Sequence, residues 1–139
     1  MIVVHIDGLC EPVNPGGTAT FGFAIRDNGT VMARKCGIVG KGPAMSNNVA
    51  EYAALCEALE FLLQKRRENS PIEVRADSAL VVNQMSGKWK LRKGLYREKY
   101  QEAVRLGAQF SDLRFRWIPR EENEEADELS REAYERESC

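Results

Sequence analysis

Histidine is almost missing from this chain. His5 would have to carry any Ser-His-Asp or Cys-His catalysis alone, so those mechanisms find little to build on. The cysteines Cys10, Cys36, Cys56 and Cys139 are scattered and lack the paired spacing of a zinc site. They read as buried or idle thiols of a reducing compartment, with a bridge through the terminal Cys139 left open. No apolar run approaches the roughly 20 residues of a membrane helix. The chain enters Ile2-Val3-Val4 with no basic stretch or cleavable apolar segment ahead of it, so a cytoplasmic protein free of membranes is expected. A net charge of −1 exerts no overall pull on a polyanion.

What is present suits an ordinary globular protein: 139 residues, 43% hydrophobic and 29% charged, enough for one domain over 1–139 that buries its own core. Charge is distributed unevenly. Lys88, Lys90, Arg92, Lys93, Arg97 and Lys99 face a single acid, Glu98, whereas Glu121 to Glu137 holds nine acids against two arginines. Either the asymmetry steers a polyanion to one region, or both stretches are solvated faces.

Hydrophobic periodicity orders the chain. Ile2–Ile6 is a β-branched strand ended by a turn at Asp7-Gly8, and Pro12 to Gly17 is a loop. Phe21–Arg26 and Val31–Val39 are strands joined through Asp27-Asn28-Gly29. A helix over Val49–Arg67 is capped by Ser46, Asn47 or Asn48 and stopped by Asn69-Ser70-Pro71. There follow a strand (Ile72–Ala76), helices over Asp77–Met85 and Leu95–Ala108, a strand (Leu113–Ile118) and a helix (Glu122–Arg136). Three meandering strands followed by mixed helices and strands predict an α/β fold, a mixed sheet with helices on its faces.

Four carboxylates occupy suggestive places. Asp7 and Asp77 each end a strand, where open α/β sheets build sites; each is equally readable as a turn or cap aspartate. Glu51 shares a helical stripe with Asn48, Leu55, Leu59 and Leu62, away from the polar stripe of Glu57, Glu60 and Gln64. An acid on an apolar stripe requires a partner, either a metal ion or an arginine. Asp127 lies in the first turns of the last helix, a natural surface position for an acid. Carboxylates without histidine or thiolate suit a hard cation, Mg²⁺ or Mn²⁺. Two such ions about 4 Å apart clamp both oxygens of a phosphodiester displacement.

The motifs themselves resemble a family. Ile6-Asp7-Gly8, Asn14-Pro15-Gly16-Gly17 and Phe21-Gly22 are similar to the opening of type 1 ribonucleases H. Asn47-Asn48-Val49-Ala50-Glu51-Tyr52, Ala76-Asp77-Ser78 and Trp117-Ile118-Pro119-Arg120-Glu121-Glu122-Asn123 with Ala126-Asp127-Glu128-Leu129-Ser130 resemble its later motifs, in order, from Ile2 to Ala133. The resemblance implies the ribonuclease H-like fold: a five-stranded mixed sheet, the meander antiparallel and the other strands parallel. It implies a two-Mg²⁺ site with Asp7 central, Glu51 and Asp77 flanking and Asp127 completing the shell, cutting the RNA strand of an RNA–DNA hybrid. Substrate contacts carry over to Cys10, Asn14, Asn47 and Asn48 near the RNA and to Ser46 at a DNA phosphate. A monomer without a protein partner is expected.

Three departures stand out. Many members carry a histidine before the last motif, associated with water or product release; here Arg120 occupies the short loop and, staying charged, substitutes only electrostatically. The glutamine often found two residues after the third aspartate is Ala79. The basic helical protrusion of bacterial members is cut to Gly87–Gly94, which keeps Lys88, Lys90, Arg92 and Lys93. There Trp89 either packs on a DNA sugar or anchors the loop. His5 is expected to pack under the sheet, and Trp117 in the core. The rivals are a hybrid-binding module without catalysis, which predicts a broken acid set, and a resolvase or exonuclease of the same architecture; exonucleases place a glutamate where this chain has Leu9.

Overall fold

Strand β1 (Ile2–Glu11) is the spine of a five-stranded sheet ordered β3-β2-β1-β4-β5. The computed structural model describes residues 1–137. β2 (Thr18–Asp27) and β3 (Thr30–Lys41) complete an antiparallel meander. β4 (Ile72–Ala76) and β5 (Leu113–Trp117) run parallel to β1 on its other side. The expected mixed sheet is therefore present. Asn28 and Gly29 take positive φ at the β2–β3 turn, as a tight hairpin requires.

β1 extends past the point where it was expected to stop. Asp7 does not end it; Gly8, Leu9, Cys10 and Glu11 continue the ladder against Phe21, Thr20, Ala19 and Thr18. Pairing with β4 does end early, at His5 opposite Arg75. Beyond that level β1 has a partner on one side only, and the sheet opens beside Asp7 and Asp77.

Four α-helices cover the two faces. Ile2, Val4, Ile6, Ile72 and Val74 bury their side chains against Tyr52, Leu55, Leu59 and Leu62 of α1 (Asn47–Gln64). The helix begins at Asn47 because Ser46 Oγ accepts from Val49 N at 3.2 Å. α2 (Ala79–Met85), capped by Ser78, and α3 (Arg97–Gly107) lie on the same side, α3 stacked against α1. α4 (Glu124–Arg136), entered through a 3₁₀ turn at Arg120–Glu122, crosses β1, β2 and β3 on the opposite face. Among the described residues no helix is long and apolar enough to cross a membrane.

Two glycines set how closely the helices approach. A Cβ on Gly8 would lie 2.4 Å from the Ala50 carbonyl carbon and 2.5 Å from Glu51 N, so α1 rests on bare β1 backbone. Gly22 stands opposite Asp7 in the ladder, and a Cβ there would meet Ala126 O at 2.6 Å and Ser130 N at 2.7 Å. α4 is admitted by that gap.

One expectation for a side chain is corrected. Trp117 is not core: it is 52% exposed. It follows Leu113 and Phe115 on the inward-facing side of β5 by alternation, but it is the last residue of the edge strand. His5 packs under the sheet, as expected. It is half-buried on the α4 face, lining a cleft with Arg26, Arg34 and Glu125. Burial and Arg75 lower its pKa. Cys10 and Cys56 are buried free thiols, while the bridge considered for Cys139 lies outside the described residues.

Candidate active site

The open edge of the sheet gathers three acids from three elements. Asp7 comes from β1, Glu51 from the second turn of α1, and Asp77 from the residue after β4. One carboxylate oxygen of each lies within 4.8 Å of the others. Register explains the pairing of the aspartates: His5 is level with Arg75, so Asp7 and Asp77 each stand two residues further along parallel strands. Gly8 explains Glu51, because only a glycine lets α1 approach closely enough to place it beside Asp7.

These acids are costly to hold as charged groups. Asp7 and Glu51 are 6% and 7% exposed. Burial first, and then the neighbouring Asp77 charge, push the Asp7 carboxyl up to about 7, although Gly8 N donates to Asp7 Oδ1 at 2.9 Å. Glu51 is raised well above the usual carboxylate range by burial and then by Asp7. Asp77 is raised by burial, against the pull of Arg120 and of the Asn123 amide. Glu51 Oε2 is buried without any hydrogen-bond partner, and among the described residues no arginine or lysine pairs with Glu51. The arginine alternative is therefore absent. An orphaned buried oxygen inside a purely carboxylate donor set is what a hard divalent cation fits.

A cleft of about 490 Å³ opens over this centre. Its lining includes Cys10, Asn14 and Asn47, and on the far side Asp127, Arg120 and Trp117. Asp127 stands outside the close triad and forms an ion pair with Arg131 at 3.3 Å. Cys10 Sγ donates to Val13 O, and Asn14 Oδ1 accepts from Asn47 N at 3.0 Å, tying the first loop to the start of α1. Ser46 is engaged as the α1 cap, and Asn48 follows in the first turn without lining the cleft. Lys88, Trp89 and Lys90 are not at this centre. They border a second cleft of about 650 Å³ with Leu80, Leu91 and Arg92.

Sequence reasoning overlooked several supports. Asn123 is 1% exposed and its amide donates to Ile6 O at 2.8 Å, pinning the start of α4 to β1 one residue before Asp7. Its position inside the last motif was the only signal available. Gln84 is buried; its Oε1 accepts from Tyr52 Oη at 2.6 Å, and its Nε2 donates to Lys90 O at 3.1 Å and Tyr96 Oη at 3.0 Å. One side-chain amide thus connects the basic loop to the residue following Glu51.

Comparison with known proteins agrees with this geometry. The family model described as "Reverse transcriptase-like" matches residues 6–133. The chain is 34% identical over 134 residues to the "Bifunctional protein Rv2228c" of Mycobacterium tuberculosis, covering 95% of this chain and 35% of that protein. It is 34% identical over 129 residues to the "Ribonuclease HI" of Halobacterium salinarum, covering 93% of this chain and 62% of the relative. It therefore spans about a third of the length of the first curated relatives it matches. Among solved structures it superposes on LC11-RNase H1 in complex with an RNA/DNA hybrid with a TM-score of 0.87, 34% identity and 99% of each chain covered.

Proposed function

The chain belongs to the type 1 ribonuclease H family, and from that premise we propose that it hydrolyses the RNA strand of RNA–DNA hybrids at the Asp7, Glu51 and Asp77 centre. The observation that carries the reading is the meeting of three carboxylates within 4.8 Å, with Glu51 Oε2 left unpartnered. Two divalent ions held by Asp7, Glu51, Asp77 and Asp127, Mg²⁺ with Mn²⁺ able to replace it, would supply the positive charge needed at the attacking water and the leaving oxygen.

This chain's own residues do the positioning. Asp7, held between Glu51 and Asp77, is the central ligand, its carboxyl pushed up by burial and then by the neighbouring Asp77 charge. Asn14 and Asn47, fixed to each other, face the RNA strand together with Cys10 and Asn48, while Ser46 holds a DNA phosphate. Lys88, Trp89 and Lys90 receive the DNA strand in the second cleft. Arg120 lies beside Asp77 and attracts the departing phosphate without exchanging a proton. Recognition of 2′-hydroxyls on one strand and acceptance of a deoxy strand on the other select the hybrid. On this reading the domain acts as a monomer in the cytoplasm.

Labelled hybrid, duplex RNA and duplex DNA, each with Mg²⁺, Mn²⁺ or EDTA, test the proposal. Hybrid RNA should be cut to 5′-phosphate and 3′-hydroxyl ends, and EDTA should abolish the reaction. Hybrid bound but uncut would identify a binding module, and cleavage of duplex DNA a resolvase or exonuclease. Turnover that survives complete chelation would overturn the metal site.

A further inference from the structure

The chain has two tryptophans, and the proposed function employs only Trp89. Trp117 lies at the opposite end of α2. Trp89 N donates to Asn83 O near the C-terminal end of that helix, whereas Trp117 Nε1 donates to Asp77 O at 3.2 Å, just before its N-terminal cap Ser78. Trp117 therefore stands on the rim of the carboxylate cleft, with Asp77, Ser78 and Arg120 in the same lining.

Half of this large side chain is exposed to water, an expensive position for an indole on the edge strand of a sheet. Its one polar group is already satisfied by Asp77 O, which also fixes the ring against the residue that supplies a carboxylate. What remains to offer a ligand is an apolar π face. Surrounding groups point to the class of ligand: a neighbouring arginine, a cleft of acids that awaits cations, and no apolar groove that a peptide or lipid would fill. A nucleotide satisfies all three, its phosphate toward the centre and its base or sugar against the ring.

Resting on the proposed function, we infer that Trp117 is a substrate-positioning residue: its indole packs on the sugar or base of a nucleotide of the cut strand next to the scissile phosphate. The contact is separate from the DNA-strand cleft around Trp89. Because a π face is offered by every base, it holds the strand without reading its sequence. Because the ring is anchored to the backbone of Asp77, a nucleotide seated on it is aligned with the Asp77 carboxylate.

Trp117→Ala and Trp117→Phe test this in the full chain. Trp117→Ala should raise KM for hybrid about tenfold, within the range that base–aromatic stacking supplies. It should change kcat less than about twofold and leave Tm near the parent's, since the ring covers little core. Trp117→Phe should recover most of the loss. A purely structural tryptophan would instead lower Tm in both variants without a selective effect on KM. The direct reading uses Trp89→Phe in a Glu51→Gln background titrated in EDTA, where Trp117 is the sole tryptophan and turnover should be slow enough to leave the hybrid intact. Its emission should be quenched on titration with unlabelled hybrid, while binding is followed separately by the anisotropy of a fluorescein-labelled hybrid. Hybrid bound at saturation with unchanged Trp117 emission, or an unaltered KM in Trp117→Ala, overturns the inference and leaves the proposed function standing. If the parent neither binds nor cuts hybrid, both fall.

Discussion

Asp7, Glu51 and Asp77 are in conflict when no cation is present, and the conflict has measurable signs. Asp7→Asn, Glu51→Gln and Asp77→Asn should each cost roughly 100-fold or more in turnover if, as proposed, each holds a cation at the reacting phosphate. In EDTA the same variants should hold or gain stability. Relief of about 1 kcal/mol would raise Tm by roughly 4 °C in a chain of this size. Asp127→Asn should be milder, because Asp127 stands outside the close triad. A Glu51→Gln enzyme of full activity would show that Glu51 is structural. The pH dependence follows from the shift of Asp7 from 3.8 to about 7. Between those values the folded protein holds a proton that the unfolded chain has released, so metal-free stability should fall as pH rises from about 4 to about 7. The lowered pKa of His5 acts in the opposite sense below its usual 6.5, so the comparison is best made against Asp7→Asn, which keeps His5 and loses the acid's slope. Thermal melts in EDTA across that range, repeated with Mg²⁺, check the sign; saturating Mg²⁺ should flatten it. Arg120 completes this scale. Arg120→Ala should lower kcat more than it raises KM, and Arg120→Lys should restore part of the loss by keeping the charge. Steady-state kinetics of the two variants that match the parent would remove the loop from catalysis.

At the scale of elements, the site depends on two helices touching bare backbone. Gly8→Ala would force α1 away from β1 at a contact with Ala50 and Glu51 main chain, which has no flexible end to yield. Overpacking of this kind costs about 1–3 kcal/mol. Activity should fall further than stability does, because the displaced residue is Glu51 itself. Denaturant unfolding and kcat on one preparation make the comparison, and an Ala variant with normal kcat would mean that the helix position is not limiting. Gly22 has the same role for α4, with Asn123 as the second tether through Ile6 O. Gln84 ties the basic loop to α1 through Tyr52, whose ring also stacks on Tyr96 at 5.7 Å. The two clefts are therefore held in register by buried groups rather than by surface contacts.

Across the whole molecule, charge is divided rather than summed. A net charge of −1 conceals a basic loop at one cleft and an acid-rich α4 on the other face of the sheet. If the loop meets backbone phosphates as proposed, counterions are released and affinity for hybrid should decline with salt. Lys88, Lys90 and Lys93 replaced together by alanine should raise KM, flatten the salt slope by up to about 3, and leave kcat little changed. Equal salt slopes in the parent and the triple variant would reduce the loop to a solvated face.

Much of this was written in local pattern. Alternation predicted all five strands, 3.6-residue periodicity predicted four helices, and Glu51 on the stripe of Leu55, Leu59 and Leu62 was recognisable as an acid in the wrong place for solvent. Those features are short-range: they follow from side chains within a few residues of each other. Three things depended on contacts distant in sequence. Gly8 read as a turn, yet β1 continues through it, because the residue serves a helix some 40 positions later, at Ala50 and Glu51. Trp117 read as core because it continues the alternation of Leu113 and Phe115; its place at the very end of the edge strand leaves it half exposed. The choice between metal and arginine for Glu51 was open until tertiary packing left its Oε2 buried and unpartnered, since which charges surround a buried group is settled by what the folded chain brings there.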